Sequence, residues 1–295
     1  MVASFPAIAP LLVGGIGTGA IYGLVAVGIV VIMRTTGAVN FAQGEFMTVA
    51  GYAYVELVAR HANSVILLLA ALVAGAALGI VFFAITRYLL RGASELIVVM
   101  STFALSIIIQ NLALLHYTDI AYAVPVWVVG NNVVNFLGGT VADNLLVALL
   151  VLLVSTAALS YWLRRTMMGR AIRAVAENAE FAALSGIRVP RTLALSWCVA
   201  GAFTALGGIF LAPLAGVTPT MGANVLFTGF VAAALGGFGS EIGAMLGGLF
   251  LGVLEVFATT IAGAAWSDIA SFAVLLVVLL AKPTGLFGSS QLRTL

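Results

Sequence analysis

The chain has 295 residues, of which 63% are hydrophobic and only 7% charged, with a formal net charge of +2. Soluble domains carry roughly a quarter charged residues, so the composition excludes a water-soluble enzyme, and the small net charge gives no sign of a nucleic-acid partner. Lipid is the solvent that suits it, because apolar side chains face lipid without cost.

Met1 to Pro6 carries no positive charge ahead of the first apolar run, and that run is too long for a signal-peptide core. It reads as a retained first span. A span takes about 20 mostly apolar residues. In chain order the candidates are Ala7–Met33, Phe41–Ala59, Val65–Thr86, Leu96–Leu115, Leu145–Leu163, Thr192–Leu211, Val225–Phe238, Gly243–Gly263 and Ile269–Ala281. The expected fold is all-α: a polytopic transmembrane helix bundle of about 8–9 spans. Residues 1–295 form a single membrane domain with one long basic loop, 164–191. Two candidates are doubtful, since Val225–Phe238 is short and Phe41–Ala59 opens with polar residues. Either could be broken or re-entrant.

Cations sort by side. With nine alternating helices and the N-terminus outside, the inner loops hold Arg34, Arg87, Arg91, Arg164, Arg165, Arg170, Arg173, Arg188, Arg191, Lys282 and Arg293. Arg60 alone falls outside, with Asp119, Asp143 and Asp268. The positive-inside bias then sets a cytoplasmic C-terminus. The outer stretch 120–140, with Pro125, Trp127, Asn131, Asn132 and Asn135, reads as an interfacial cap rather than a span.

Several segments carry more than hydrophobicity. Around the second candidate span, Glu45, Thr48, Tyr52 and Glu56 recur at helical steps and share one face. A polar stripe in a span must face water or protein. Glu45 either snorkels at interface depth or serves a path, and Glu56 favours the first reading. Gln110 and Asn111 are milder polar residues of the fourth span, and Glu255 sits near the middle of Gly243–Gly263. A carboxylate there is either functional or held by a neighbouring helix. Glycines at four-residue spacing (Gly15, Gly19, Gly23; Gly239, Gly243, Gly247) allow close helix packing.

The loop after the fifth span runs from Gly169 to Pro190. Ile172, Val175, Ala179 and Ala182 recur at helical spacing, as do Arg170, Arg173, Glu177 and Glu180 on another face. Asn178 can cap a second short helix, which Gly186 can end, with Pro190 beyond. The predicted result is one or two amphipathic helices outside the bilayer. They either rest on anionic lipid or dock a cytoplasmic protein through a small, alanine-rich face.

The lone Cys198 lies in an apolar run and permits no intrachain disulfide. His61 and His116 form no metal-ligand cluster, and Lys282, the only lysine, lies in Lys-Pro-Thr-Gly. A phosphate-binding loop of the P-loop type is therefore impossible. The chain is expected to bind no metal or cofactor and to catalyse no covalent chemistry.

The pattern Glu180-x-Ala182-Ala183-x-x-Gly186 resembles the EAA loop of ABC importer permeases. Ile21-Tyr-Gly-Leu24, Asn40-Phe-Ala-Gln-Gly-Glu-Phe46, Gly169-Arg-Ala-Ile-Arg-Ala-Val-Ala-Glu177, Ala234-Leu-Gly-Gly-Phe-Gly-Ser240 and Lys282-Pro-Thr-Gly-Leu-Phe-Gly288 widen the match. Together they resemble the LivH-type permeases of branched-chain amino-acid ABC transporters. The core departs from an uninterrupted Glu-Ala-Ala, reading Glu-Phe-Ala-Ala.

The resemblance implies an importer of the bacterial inner membrane, built from this chain, a LivM-type permease paralogue, two cytoplasmic ABC ATPase subunits and a periplasmic substrate-binding protein. ATP and Mg would sit in the ATPases. Gly169, Arg170, Arg173, Ala174, Glu177, Glu180, Ala183 and Gly186 would form the coupling helix region. From the polar stripe, Asn40, Gln43 and Glu45 are candidates to line the path, with Glu255 as a further one. The competing reading is a proton-driven transporter that acts without an ATPase, with Glu255 or Glu45 carrying the proton. An intramembrane enzyme lacks a nucleophile–base or metal constellation.

Overall fold

The computed structural model describes residues 5–89, 94–126, 133–136 and 139–288. Arg91, Trp127, Asn131, Asn132 and Arg293 lie outside the described residues, as do the side chains of Asn135 and Asp268. The helices are α1 (Phe5–Thr36), α2 (Glu45–Ala59), α3 (Ser64–Ala84), α4 (Glu95–Tyr117), α5 (Asp143–Arg165), α6 (Met167–Glu177), α7 (Ala179–Leu184), α8 (Val189–Ala215), α9 (Met221–Gly236), α10 (Glu241–Ala262) and α11 (Ala264–Ala281). A hairpin of β1 (Val133–Phe136) and β2 (Gly139–Ala142) precedes α5, so the stretch after α4 is not another span.

Among the described residues seven helices are long and apolar enough to cross a membrane, not the eight or nine expected. The missing two are the doubtful pair. α2 has 15 residues and α9 has 16, which at 1.5 Å per residue falls short of the roughly 30 Å hydrocarbon core.

Glycine sets the packing. α1 and α10 run antiparallel, with Gly15 against Val253 and Gly23 beside Met245. A Cβ on Gly19 would stand 2.7 Å from the Gly248 carbonyl oxygen, so only glycine permits this approach. α3 crosses α8 in the same manner, Gly75 against Gly201 and Gly79 against Trp197. α5 lies parallel to α1, Leu145 meeting Gly17 and Leu152 meeting Gly23. These directions gather the ends of α1, α3 and α5 at one face of the bundle with the starts of α8 and α10. Arg34, Arg87, Arg164 and Arg165 close those first three helices there, and Arg34 donates to Glu241 at 2.6 Å. Asp143, His61 and Arg60 mark the opposite end.

The two short helices complete broken crossings. After α1 the chain turns back at Gly37 (φ +73°), climbs beside α1 through Asn40, and makes a 3₁₀ turn (Phe41–Gly44) before α2 begins. Gln43 there touches Thr204, near the middle of α8 and roughly 20 Å from either end at 1.5 Å per residue. After α8 the chain enters from the other end through 216–220, pairing Val217 with Tyr122. α9 then starts where α2 starts, with Gly222 against Gly44, and runs the opposite way until Gly236 packs on Gly243.

Non-helical backbone at that depth survives only when buried in protein with its polar groups met. Here Phe41 N donates to Thr102 Oγ1, Ala42 N to Asn40 Oδ1 and Gly222 N to Thr48 Oγ1. At the far end of α9, Leu286 N and Phe287 N donate to the carbonyls of Leu235 and Gly236. The C-terminal strap thus satisfies acceptors that a helix end leaves open.

Candidate functional site

The break in α2 gathers most of the polar residues singled out above. Asn40 Nδ2 donates to Gln43 Oε1, and Gln43 Nε2 donates to Ala200 O and to Thr204 Oγ1 at 2.7 Å. Glu45, the first residue of α2, has no exposed surface. Its Oε1 accepts from Ser106 Oγ at 2.7 Å and from Gln110 Nε2 at 2.8 Å, both on α4. A carboxylate at a helix start is favoured by the exposed peptide N–H groups, and two donors from α4 add to that. Gln110 thereby gains a role, whereas Asn111 bonds only its own helix at Ile107 O.

The stripe Glu45–Thr48–Tyr52–Glu56 does share a face, and most of it is spent on α4. Tyr52 stacks on Tyr117 with ring centres 4.1 Å apart, and Tyr117 Oη donates to Glu56 Oε1 at 3.3 Å. Thr48 turns instead to the start of α9. Glu45 and Tyr52 therefore tie α2 to α4 inside the protein, while Glu56 stays exposed near the end of α2.

Among the path candidates, Asn40 borders a cavity. A cavity of about 200 Å³ lies at the arginine-rich end, lined by Thr36, Asn40, Thr86, Arg87, Thr102 and Trp197. It ends at the break, with Gln43 and Glu45 sealed beyond it. Glu255 does not join this group. It sits seven residues before the end of α10, about 10 Å from that end rather than midway, near the level where Gly15 of α1 meets Val253.

The second element is the α6–α7 pair. Thr166 caps α6 by accepting from Gly169 N, and Asn178 caps α7 by accepting from Glu180 N and Phe181 N. Gly186 takes φ +82° and ends α7, and Pro190 opens α8. Asn178, Gly186 and Pro190 follow the sequence expectation. Gly169 roots the pair, since a Cβ there would strike the backbone of Leu163. Ile172, Val175 and Ala182 are buried against the bundle, while Arg170, Glu177, Glu180, Ala183 and Gly186 are exposed and Arg173 and Ala174 half-buried.

The outward face is only in part the alanine-rich one expected, since Ala179 and Ala183 are exposed beside two large apolar side chains. Ala182 turns inward, leaving Phe181 69% and Leu184 80% exposed. The misreading came from counting small residues in the loop without knowing which way the short α7 rolls.

Sequence reasoning also missed the meeting of Gly44 with Gly222 and the Arg34–Glu241 pair. Both join residues far apart in sequence, and neither has a local signal.

Broken helices meeting inside a bundle, with a helical handle outside the spans, form an architecture suited to a polytopic transport permease. The sequence matches the family described as "Branched-chain amino acid transport system / permease component" over residues 11–279. The chain belongs to that family. It is similar to the high-affinity branched-chain amino acid transport permease LivH of Escherichia coli, 33% identical over 294 residues and 95% of each chain. It is similar also to BraD of Pseudomonas aeruginosa, 32% identical over 295 residues and 96% of each chain. The probable LivH of Methanocaldococcus jannaschii is 28% identical over 281 residues, covering 90% of this chain and 88% of its own. No solved structure matches the chain.

Proposed function

We propose that this permease forms one half of the translocation path of an importer for branched-chain amino acids or a related small polar solute. The relatives named above supply the cargo class. The other half is a LivM-type paralogue, a periplasmic binding protein delivers the solute, and two cytoplasmic ATPases supply the energy. The chain sits in the bacterial inner membrane with its C-terminus in the cytoplasm. The segregation of arginine to the α1, α3 and α5 ends supports that orientation.

The observation that carries this reading is the α6–α7 handle. It stands at the arginine-rich end, is rooted by Gly169 and Ile172, and presents Phe181 and Leu184 uncovered by any of the described residues. Large exposed apolar side chains rimmed by Glu177, Glu180 and Arg188 suit a protein cleft. Residues Gly169, Arg170, Arg173, Ala174, Glu177, Glu180, Ala183 and Gly186 are the coupling region. Asn40 lines the path, Gln43 and Glu45 hold the break against α8 and α4, and Glu255 faces the path nearer the other end.

In operation, closure of the ATPase pair moves the handle. The handle is fixed to the end of α5 and the start of α8, so it shifts those helices against the α2 and α9 breaks and opens the path to alternate sides. The test is ATP-dependent solute uptake in proteoliposomes containing all subunits, with Arg173→Glu and Gly186→Pro. Loss of uptake with intact assembly is expected. Normal uptake and normal ATPase association in both variants removes the handle from the mechanism.

A further inference from the structure

A second cavity, of about 280 Å³, lies where α1, α5, α6 and α10 meet, lined by Arg34, Ser160, Arg164, Arg173, Ser240 and Glu241 among others. Three guanidinium groups face one carboxylate there, and that carboxylate already pairs with Arg34 at 2.6 Å. Arg164 and Arg173 have no acidic partner among the described residues. Arg173 Nε and Ser160 Oγ are buried atoms without a hydrogen-bond partner. Buried donors left unmatched are costly and mark a missing acceptor. A half-buried arginine with an unmatched Nε, an unmatched hydroxyl and the exposed Arg164 on the same cavity wall ask for a compact anion rich in acceptors.

We infer that this cavity binds a phosphate group, supplied by the headgroup of an acidic phospholipid or by inorganic phosphate. Arginine forks match phosphate oxygens two at a time, which uses Arg164 and Arg173 together, and Ser160 donates to a further oxygen. The cavity straddles a helix end: Ser160 lies one turn inside α5 from Arg164, and its neighbour Tyr161 is exposed on the flank of the bundle. That is the depth at which basic pockets between spans take lipid headgroups. A bound phosphate ties α6 to the α1–α10 pair. The site is independent of the cargo and of which ATPase grips the handle.

The experiment is thermal unfolding of the purified full chain, delipidated in detergent, with phosphatidylglycerol, phosphatidylcholine or inorganic phosphate added at matched ionic strength. Bound lipid is counted in parallel by native mass spectrometry. Phosphatidylglycerol is expected to stabilise and to be retained over phosphatidylcholine. Arg164→Gln should weaken its apparent affinity about tenfold, the loss of one charge-assisted bond, and Arg164→Lys by less. Arg60→Gln at the opposite end should change nothing.

Protection by phosphatidylglycerol alone assigns the source to lipid, and equal protection by inorganic phosphate assigns it to the soluble ion. Equal binding of both lipids with no phosphate effect overturns the site, as does full retention of phosphatidylglycerol by Arg164→Gln. Protection by an added ATPase subunit alone assigns the pocket to a protein carboxylate and also overturns it.

Discussion

Gly44 and Gly222 meet so closely that a Cβ on either would collide with the other's backbone, although 178 positions separate them in the chain. This contact joins the starts of α2 and α9 head to head, and the two helices leave it in opposite directions. Discontinuous helices of this kind let backbone line a path inside a membrane.

Gly222→Ala should therefore destabilise the chain by about 1–3 kcal/mol, the usual cost of overpacking a filled site. Gly14→Ala, which meets nothing within 4 Å, should be neutral or stabilise by about 0.5–1 kcal/mol through helix propensity. Thermal unfolding in one detergent compares them. Equal effects at the two positions would mean the helix starts are not in contact.

Glu45 holds α4 through two hydrogen bonds and needs no charge to accept them. Glu45→Gln should keep most of the stability and of the uptake. Glu45→Leu takes the acceptor from the buried Ser106 hydroxyl, at about 1–3 kcal/mol, while Gln110 Nε2 keeps its bond to Ser106 Oγ. If Glu45→Gln stops uptake while unfolding is unchanged, the ionised form is required and the proton-carrier reading returns.

Arg34 and Glu241 fasten the end of α1 to the start of α10. A double-mutant cycle with Arg34→Gln and Glu241→Gln should show a coupling of about 0.5–3 kcal/mol, the range for residues in contact. Purely additive losses would show that the pair contributes nothing to the α1–α10 clamp.

Phe181→Ser and Leu184→Ser should leave the unfolding temperature of the isolated chain unchanged, because both side chains are exposed. Each should weaken binding of the ATPase subunits by tenfold or more, since an apolar anchor at an interface centre contributes about 2 kcal/mol. Unchanged ATPase binding in the double variant would place the grip elsewhere on the handle.

Helix positions were readable because apolar runs and their boundaries are local: Asn178 and Gly186 bracket α7, and the glycine steps of α1 anticipate its groove for α10. What resisted reading was long-range. A 15-residue run that opens with polar groups can be a surface start or a half-helix. Only the partner across the bundle, Gly222 for Gly44 and Gln110 for Glu45, decides between them. Glu255 shows the converse: its type within a span suggested a central role, yet it lies seven residues, about 10 Å, before the end of α10.

The central claim, that α6–α7 is a cytosolic handle held by a separate motor, is tested most directly by thiol accessibility. Cys198, the only cysteine, is replaced by serine and Leu184 by cysteine, and a membrane-impermeant reagent is applied to vesicles of known orientation. Labelling only from the cytosolic side, and protection of that thiol when the ATPase subunits are bound, is the predicted result. Labelling from the exterior, or a rate the ATPases leave unaltered, contradicts it.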